Sequence, residues 1–477
     1  MKEKKNKIQN KKILYPTLLG IAIIIGAFTF ILGKGIGGTY ANPVNSDFDD
    51  NNFYECVINQ LNKDNINNKT DRTTEWVVTD DELSKLTTLS CSGKDKDDSK
   101  KIVSTKGLSK MTNLTKLELQ YNKITSVDVT KNTLLTHLDL GGNKLTSVDV
   151  SKNTALTYLS LGTNKLTSVD VSKNTALITL YLHENQLTSV DVTKNTALTS
   201  LSLHTNKLTS VDVTKNTALT ELWLHENQLT NVDVSKNTAL TGLSLTNNKL
   251  TSVDVTKNTA LTYLDLGVNK LTNVDVSKNT ALTYLSLGTN QLTSVDVSKN
   301  TALITLYLHE NQLTNVDVSK NTVLTSLGLH TNQLTSVDVS NNTALITLYL
   351  HKNQLTNVDV SKNTALTKLV LHDNKISTLN ITNNEKLTYL DISNNLFSSL
   401  PDTSKNTKLT TYLYSGNTLD GNSTDKDNQG ENNNQSQEEN IENPNTSTYW
   451  IGIIILICIC SLIYVIRYIN NNKVSNI

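Results

Sequence analysis

The chain carries no surplus of either charge: its 477 residues hold 44 Lys and Arg against 44 Asp and Glu. A balanced chain offers no general attraction for nucleic acid or for an anionic membrane surface, so nucleic acid is not an expected partner. Arginine is almost missing, with Arg72 and Arg467 its only instances. Cysteine is scarce as well. Cys458 and Cys460 lie in an apolar tail, which leaves Cys56 and Cys91 as the remaining pair. That scarcity excludes a four-cysteine metal cluster. The signatures of catalysis are missing too: no G-x-S-x-G, no H-E-x-x-H and no phosphate-cradling glycine loop. No catalytic residue, cofactor or metal site is therefore expected.

What the chain does have is repetition. From Leu114 onward the pattern L-x-x-L-x-L-x-x-N-x-L returns every 21 residues, its first Leu at 114, 135, 156 and so on to 387. The segments 156–176, LTYLSLGTNKLTSVDVSKNTA, and 282–302, LTYLSLGTNQLTSVDVSKNTA, differ at one position. An atypical opening copy starts at Leu86 and a degraded closing copy at Leu409. The Leu159-x-Leu161 alternation predicts a short strand with its apolar side inward. Asn164 sits where the chain turns and can satisfy backbone groups inside the bend. In the second half of the unit, Leu166, Val169 and Val171 are expected inside. Thr, Asp, Lys and the rest of T-S-V-D-V-S-K-N-T are expected outside, the Asp and Lys rows neutralising each other. One unit cannot bury its apolar positions alone, so units must stack into a solenoid with a parallel strand ladder. The expected architecture is an α/β-type solenoid dominated by short parallel β-strands, a curved array with a small helical N-terminal cap.

Domain boundaries follow from composition. Residues 2–12 are strongly basic, 13–33 are apolar, and Thr39-Tyr40-Ala41 closes the segment. This reads as a signal peptide, 1–41, cleaved after Ala41, with an uncleaved anchor as the alternative. Residues 42–85 form the expected cap, with a helix over 48–62. Asp49 or Asp50 would cap that helix, with Phe53, Cys56, Val57 and Leu61 on one face. Cys56 and Cys91 could then meet in a disulfide, or remain two buried thiols. The solenoid spans 86–419, about 14–15 coils. Residues 420–448 are polar and of low complexity, and read as a disordered linker. Tyr449–Ile466 is apolar for 18 residues, enough to cross a membrane, and the basic tail at 467–477 places its end in the cytoplasm.

Binding information must lie where the copies differ. The variable positions are the outward ones of each strand, on the expected concave face. They carry Tyr158, Tyr181, Trp223, Tyr263, Tyr284, Tyr307, Tyr349 and Tyr389. Large rings with a polar tip are common anchors of recognition surfaces, although Tyr is also a good exposed strand residue. His137 precedes a strand Leu. The other seven His share the position after the L-x-L: His183, His204, His225, His309, His330, His351 and His372. On an exposed face they would titrate near neutrality and repel one another when charged. The plainer reading is that His was copied along with the unit. Copying is visible, because the units starting at 135–240 match those starting at 261–366, six coils later.

These repeats resemble the bacterial leucine-rich repeats of the internalin family, especially its 21-residue branch, over residues 86–419. That branch often carries L-x-x-L-x-C strands, and here only Leu86-Thr-Thr-Leu89-Ser-Cys91 keeps the cysteine. The resemblance implies a surface adhesion or binding role. Asn443-Pro444-Asn445-Thr446-Ser447, followed by an apolar span and a basic tail, is similar to a sortase sorting signal of the N-P-x-T class, with Ser where Gly is commonest. That similarity implies sortase and peptidoglycan as partners, with a permanent membrane anchor through 449–466 as the alternative. The sequence thus predicts a bacterial cell-surface protein, anchored to cell wall or plasma membrane. It would recognise a protein or glycan of another cell non-covalently. The alternative is a structural stalk without a dedicated ligand.

Overall fold

Leucines that recur every 21 residues can be buried only if consecutive coils stack in register, and they do. The computed structural model describes residues 46–419. It forms a 16-stranded parallel sheet whose strands follow chain order, from β1 (Thr88–Ser90) to β16 (Thr411–Leu413). Each strand pairs with the next copy at the equivalent residue, as in Leu138 with Leu159 and Leu159 with Leu180. Fourteen regular coils, the opening copy and the closing copy account for the sixteen strands. Leu156, Leu159, Leu161, Leu166 and Val171 are all fully buried, and their equivalents repeat this in coil after coil. Val169 is only half-buried, which corrects its expected place in the core.

Hydrogen bonds join the coils on two sides. In the first Asn row, Asn164 donates through Nδ2 to the carbonyls of Leu140 at 3.0 Å, Leu161 at 3.0 Å and Gly162 at 3.2 Å. Its Oδ1 accepts from Leu145 N at 3.0 Å. This is the role expected of it: the amide replaces ladder bonds that the bending backbone cannot make. A second Asn row was not anticipated. Asn174, read from sequence as part of the outer surface, has no exposed area. Its Nδ2 donates to Val150 O at 3.0 Å and Asn153 O at 2.8 Å in the preceding coil. The row runs from Asn132 to Asn406. It ties coil to coil on the side away from the sheet.

The Asp row also departs from expectation. Asp170 accepts through Oδ1 from its own Ser172 N at 2.9 Å. Its carboxyl is held below the usual range mainly by the Ser172 hydrogen bonds, with Lys173 a lesser influence. The row therefore closes local turns instead of pairing with the Lys row. One residue per coil adopts a left-handed backbone, including Thr163 at φ 53°, Glu184 at φ 51° and Val268 at φ 49°. Non-glycine residues accept this at a cost of about 1–2 kcal/mol, so packing on both sides imposes it.

The cap is built around α1 (Asn51–Lys63), whose N-cap is Asp50. The helix therefore starts later than the expected 48. Asp50 Oδ1 accepts from Asn52 N and Phe53 N, and its other oxygen accepts from Val103 N and Ser104 N. One carboxylate thus caps the helix and docks it on the first coil. Phe53, Tyr54, Val57, Ile58 and Leu61 are buried against that coil. Cys56 and Cys91 are joined by a disulfide. Arg72, fully buried, pairs with Glu82 at 2.9 Å. It also donates to Lys69 O and Ile66 O. Glu82 belongs to α2 (Asp80–Ser84) and completes a capping box with Thr79.

The expected signal peptide, the linker, Asn443–Ser447, the span at 449–466 and the tail lie outside the described residues. Among the described residues, no helix is long and apolar enough to cross a membrane.

Candidate functional site

In a strand, alternate side chains share a face, so the residues flanking the central Leu of each strand line the sheet's outer face. In-register stacking turns each such position into a column running across the coils. The predicted aromatics fall into these columns and meet. His137 and Tyr158 stack with ring centroids 4.2 Å apart and planes 4° apart, and Tyr158 meets Tyr181 edge-on at 5.9 Å. Six coils later the arrangement recurs. Tyr263 and Tyr284 stack at 4.6 Å and 8°, and Tyr284 meets Tyr307 edge-on at 6.1 Å. Trp223 sits between the two sets, edge-on to Tyr263 at 5.7 Å. Tyr349 and Tyr389 flank Lys368, whose ammonium lies 5.5 and 4.7 Å from their ring centres. The aromatics thus form one band, more buried than exposed strand residues would be: Trp223 is 7% and Tyr284 9% exposed.

The histidines are the larger correction. They do not stand exposed. His183, His204 and His225 stack at 4.7 and 4.2 Å. His309, His330, His351 and His372 stack at 4.7, 4.2 and 4.4 Å. His204, His225 and His330 are buried, and the others of both stacks are half-buried. Burial is the first cause of the lowered pKa values of His183, His204, His225, His309, His330 and His351, and neighbouring His adds to it at His204, His225, His330 and His351. His204 is pushed down to about 2, His225 to about 4, His330 to about 2 and His351 to about 3. His183 and His309 are lowered for the same reason. These six imidazoles are therefore held neutral at physiological pH, which departs from the expected titration near neutrality on an open face. His372 ends its stack with Nδ1 2.7 Å from Asp373.

Each stack begins on a glycine. A Cβ at Gly162 would lie 2.4 Å from the His183 ring, and one at Gly288 2.2 Å from the His309 ring. Glycine at these positions is what lets the first imidazole lie flat.

A stack of parallel rings is a poor metal chelator, because the nitrogen lone pairs lie in the ring planes and do not converge. Among the described residues no group of three or more His, Cys, Asp or Glu is placed to hold a metal ion. Asp265 was not singled out from sequence. It is buried in the strand-face column between Ser244 and Ser286, and accepts from Gly267 N at 3.1 Å. Burial raises its pKa to about 6. Its copy-mate Asp139 is half-exposed. The face as a whole offers aromatic edges, hydroxyls and neutral imidazoles, which suit non-covalent recognition.

Two family models described as leucine-rich repeat match residues 110–130 with 131–152, and 386–406. No curated protein sequence matches the chain. Among solved structures, the functional domain of InlJ from Listeria monocytogenes is 36% identical. The match covers 73% of this chain and 75% of that one, with a TM-score of 0.69. That domain is described as including a cysteine ladder. A Leptospira interrogans LRR protein is 26% identical over 72% of this chain and 93% of its own, with a TM-score of 0.63. The internalin InlF from Listeria monocytogenes is 26% identical over 79% of this chain and 99% of its own, with a TM-score of 0.57.

Proposed function

Because the chain belongs to the internalin family of leucine-rich-repeat proteins, we propose that it is a bacterial surface protein that binds a protein of another cell on its strand-lined, concave face. The carrying observation is that a near-invariant scaffold presents a varied aromatic band from His137 to Tyr389. Binding is non-covalent: rings supply apolar area, and hydroxyls and neutral imidazoles supply directed hydrogen bonds. The proposed site comprises Tyr158, Tyr181, Trp223, Tyr263, Tyr284, Tyr307 and Tyr349, with His183, His204, His225, His309, His330, His351 and His372 beside them. A surface glycan is the alternative ligand. Export through 1–41 and attachment through Asn443, Pro444, Asn445, Thr446 and Ser447 by a sortase, or through the span at 449–466, complete the proposal. The monotony of the convex side favours a second reading, a stalk with no dedicated ligand.

The test is an array of cell-surface proteins and glycans probed with the chain. Trp223→Ala, and Tyr181→Ala combined with Tyr307→Ala, should each weaken capture by roughly 30-fold, the equivalent of about 2 kcal/mol. Lys194→Ala, on the far side, should leave it unchanged. An equal loss from Lys194→Ala would show that the wrong face was chosen. Retention of nothing on the array would leave the stalk.

A further inference from the structure

The two imidazole stacks cross seven coils, and the coils bearing Tyr181, Trp223, Tyr307 and Tyr349 are among them. We propose that these stacks are acid-operated seams: protons taken up by the imidazoles open the coils that carry them and dismantle the aromatic band above. This adds regulation to the proposed binding site. It rests on that reading only for its consequence for a ligand, since the opening itself needs none.

The argument is geometric. Adjacent rings lie 4.2–4.7 Å apart, so a second charge in the same stack would sit directly on the first. The Nδ1 atoms of His183, His225 and His351 are buried without a hydrogen-bond partner, so a proton placed there would meet no acceptor. A buried, unpartnered charge is among the most expensive features a fold can hold. The closed coil therefore refuses protons and the open coil accepts them.

The surrounding charges bear on this. Around the first stack stand Glu184 and Glu226, exposed and accepting from the Thr163 and Thr205 hydroxyls, and Asp139, which acts on His183. Tyr181 lies beside the stack at 6.2 Å, and Thr205 Oγ1 is 3.1 Å from His204 Nδ1. Glu184 and Asp139 favour protonation of His183, and burial outweighs them there; at His204 and His225 burial and the neighbouring rings both oppose it. Around the second stand Glu310, which also favours it, and Lys352 and Lys368, which oppose it. Tyr307 is 6.2 Å from His309, and Thr331 Oγ1 is 3.3 Å from His330 Nδ1. Asp373 bonds the last ring, His372. That end has an acceptor ready, so the seam opens from the middle of its stack and not from His372.

Linkage sets the size. An imidazole that titrates near 6.5 when open and is kept neutral when closed shifts the opening equilibrium about tenfold between pH 7.5 and 5.5. In the first stack His204 and His225, held at about 2 and about 4, together shift it about a hundredfold, and the lowered His183 adds to this in the same direction. Coils with Gly, Thr or Gln at the same position, such as those of Gly141, Thr246 and Gln120, have no such lever.

The experiment is amide hydrogen exchange of the full chain, followed by mass spectrometry between pH 7.5 and 5.5 and corrected for intrinsic exchange. Peptides from 177–233 should show an opening equilibrium that rises at least a hundredfold, while peptides from 114–134, which carry no histidine, stay within a few-fold. His183→Gln, His204→Gln and His225→Gln together, using the residue that Gln120 already places in this column, should flatten the response of the first seam. The second should be left intact, which guards against a simple failure to fold. Equal acid response in both regions, or an undiminished response in the triple variant, would overturn the proposal. Either result would leave the array test of ligand capture untouched.

Discussion

The second Asn row makes a demand that a single substitution can test. Asn174 is fully buried and donates both Nδ2 hydrogens, to Val150 O at 3.0 Å and Asn153 O at 2.8 Å. Each of those carbonyls also accepts a backbone N–H, from Asn153 at 3.0 Å and from Leu156 at 3.2 Å. Asn174→Ala therefore removes two hydrogen bonds without leaving either carbonyl wholly unpaired. At about 1 kcal/mol net for each bond, plus about 1 kcal/mol for the void, the expected loss is roughly 3 kcal/mol. Asn174→Asp is nearly isosteric and should be worse. Asn174 Oδ1 already has no partner, so the carboxylate would find no donor and would face two carbonyl oxygens.

The pH dependence separates the two variants. The folded-state pKa of the introduced Asp must lie above its unfolded value, because its charged form is buried among acceptors. Its penalty should therefore be smallest near pH 4, where a protonated carboxyl regains one donor, and grow as pH rises. The Ala penalty should show no such trend. In a stacked array the loss falls on the interface between adjacent coils, and unfolding of the whole need not be two-state. The proper assay is thus hydrogen exchange of peptides within 135–176, with Lys173→Ala as a control that stays within about 0.5 kcal/mol. An Ala penalty below about 1 kcal/mol, or an Asp variant no worse than Ala at pH 8, would refute the reasoning.

Two further outcomes are expected. Asp265, raised to about 6 by burial, binds its proton more tightly in the folded chain than in the unfolded one, so stability falls as pH climbs from about 4 to 6. Asp265→Asn should recover up to about 3 kcal/mol at pH 8 and nothing near pH 4 by chemical denaturation, and an equal gain at both would sink the assignment. For anchoring, mass spectrometry of native surface material should find Asn42 as the first residue and no peptide beyond Thr446. A detergent-extracted peptide containing Tyr464 would show instead that the membrane span is kept.

Most of the fold was legible because one physical constraint repeats. Leu156, Leu159, Leu161 and Leu166 have no use outside a stacked core, and their period leaves one architecture. Asn164 was legible for the same reason: it interrupts an apolar run at a bend. Asn174 was not. It sits in a polar string, S-K-N-T, whose other members face outward, and nothing in its type distinguishes a buried bridge from a solvated turn. The column that holds Tyr181 and Trp223 was readable from strand alternation, since that fixes which side a residue faces. Depth was not readable. His204 and His225 share a position with Gln120 and Thr246, and whether a side chain there is wet or buried depends on its neighbours in the coils before and after. A histidine beside another histidine across a coil step is stacked and at least half-buried, a fact that lies 21 residues away in the chain.

The same neighbour dependence explains why the histidines come in runs that begin after glycine. An imidazole lying flat needs the space above the preceding coil, and Gly162 and Gly288 leave it open where any Cβ would collide with His183 or His309. Once the first ring is down, its flat face is the floor for the next, and each later histidine needs only a ring beneath it. The run must then end on a group that tolerates a ring below it: Thr246 after the first stack and Ser393 after the second. In both runs each imidazole lies above either a glycine or another ring. Copying a block of six coils moved glycine and histidines together and kept that condition satisfied. The first three rings of each stack therefore correspond, down to the edge-on tyrosines Tyr181 and Tyr307 beside them, while His372 extends the second stack where Thr246 ends the first.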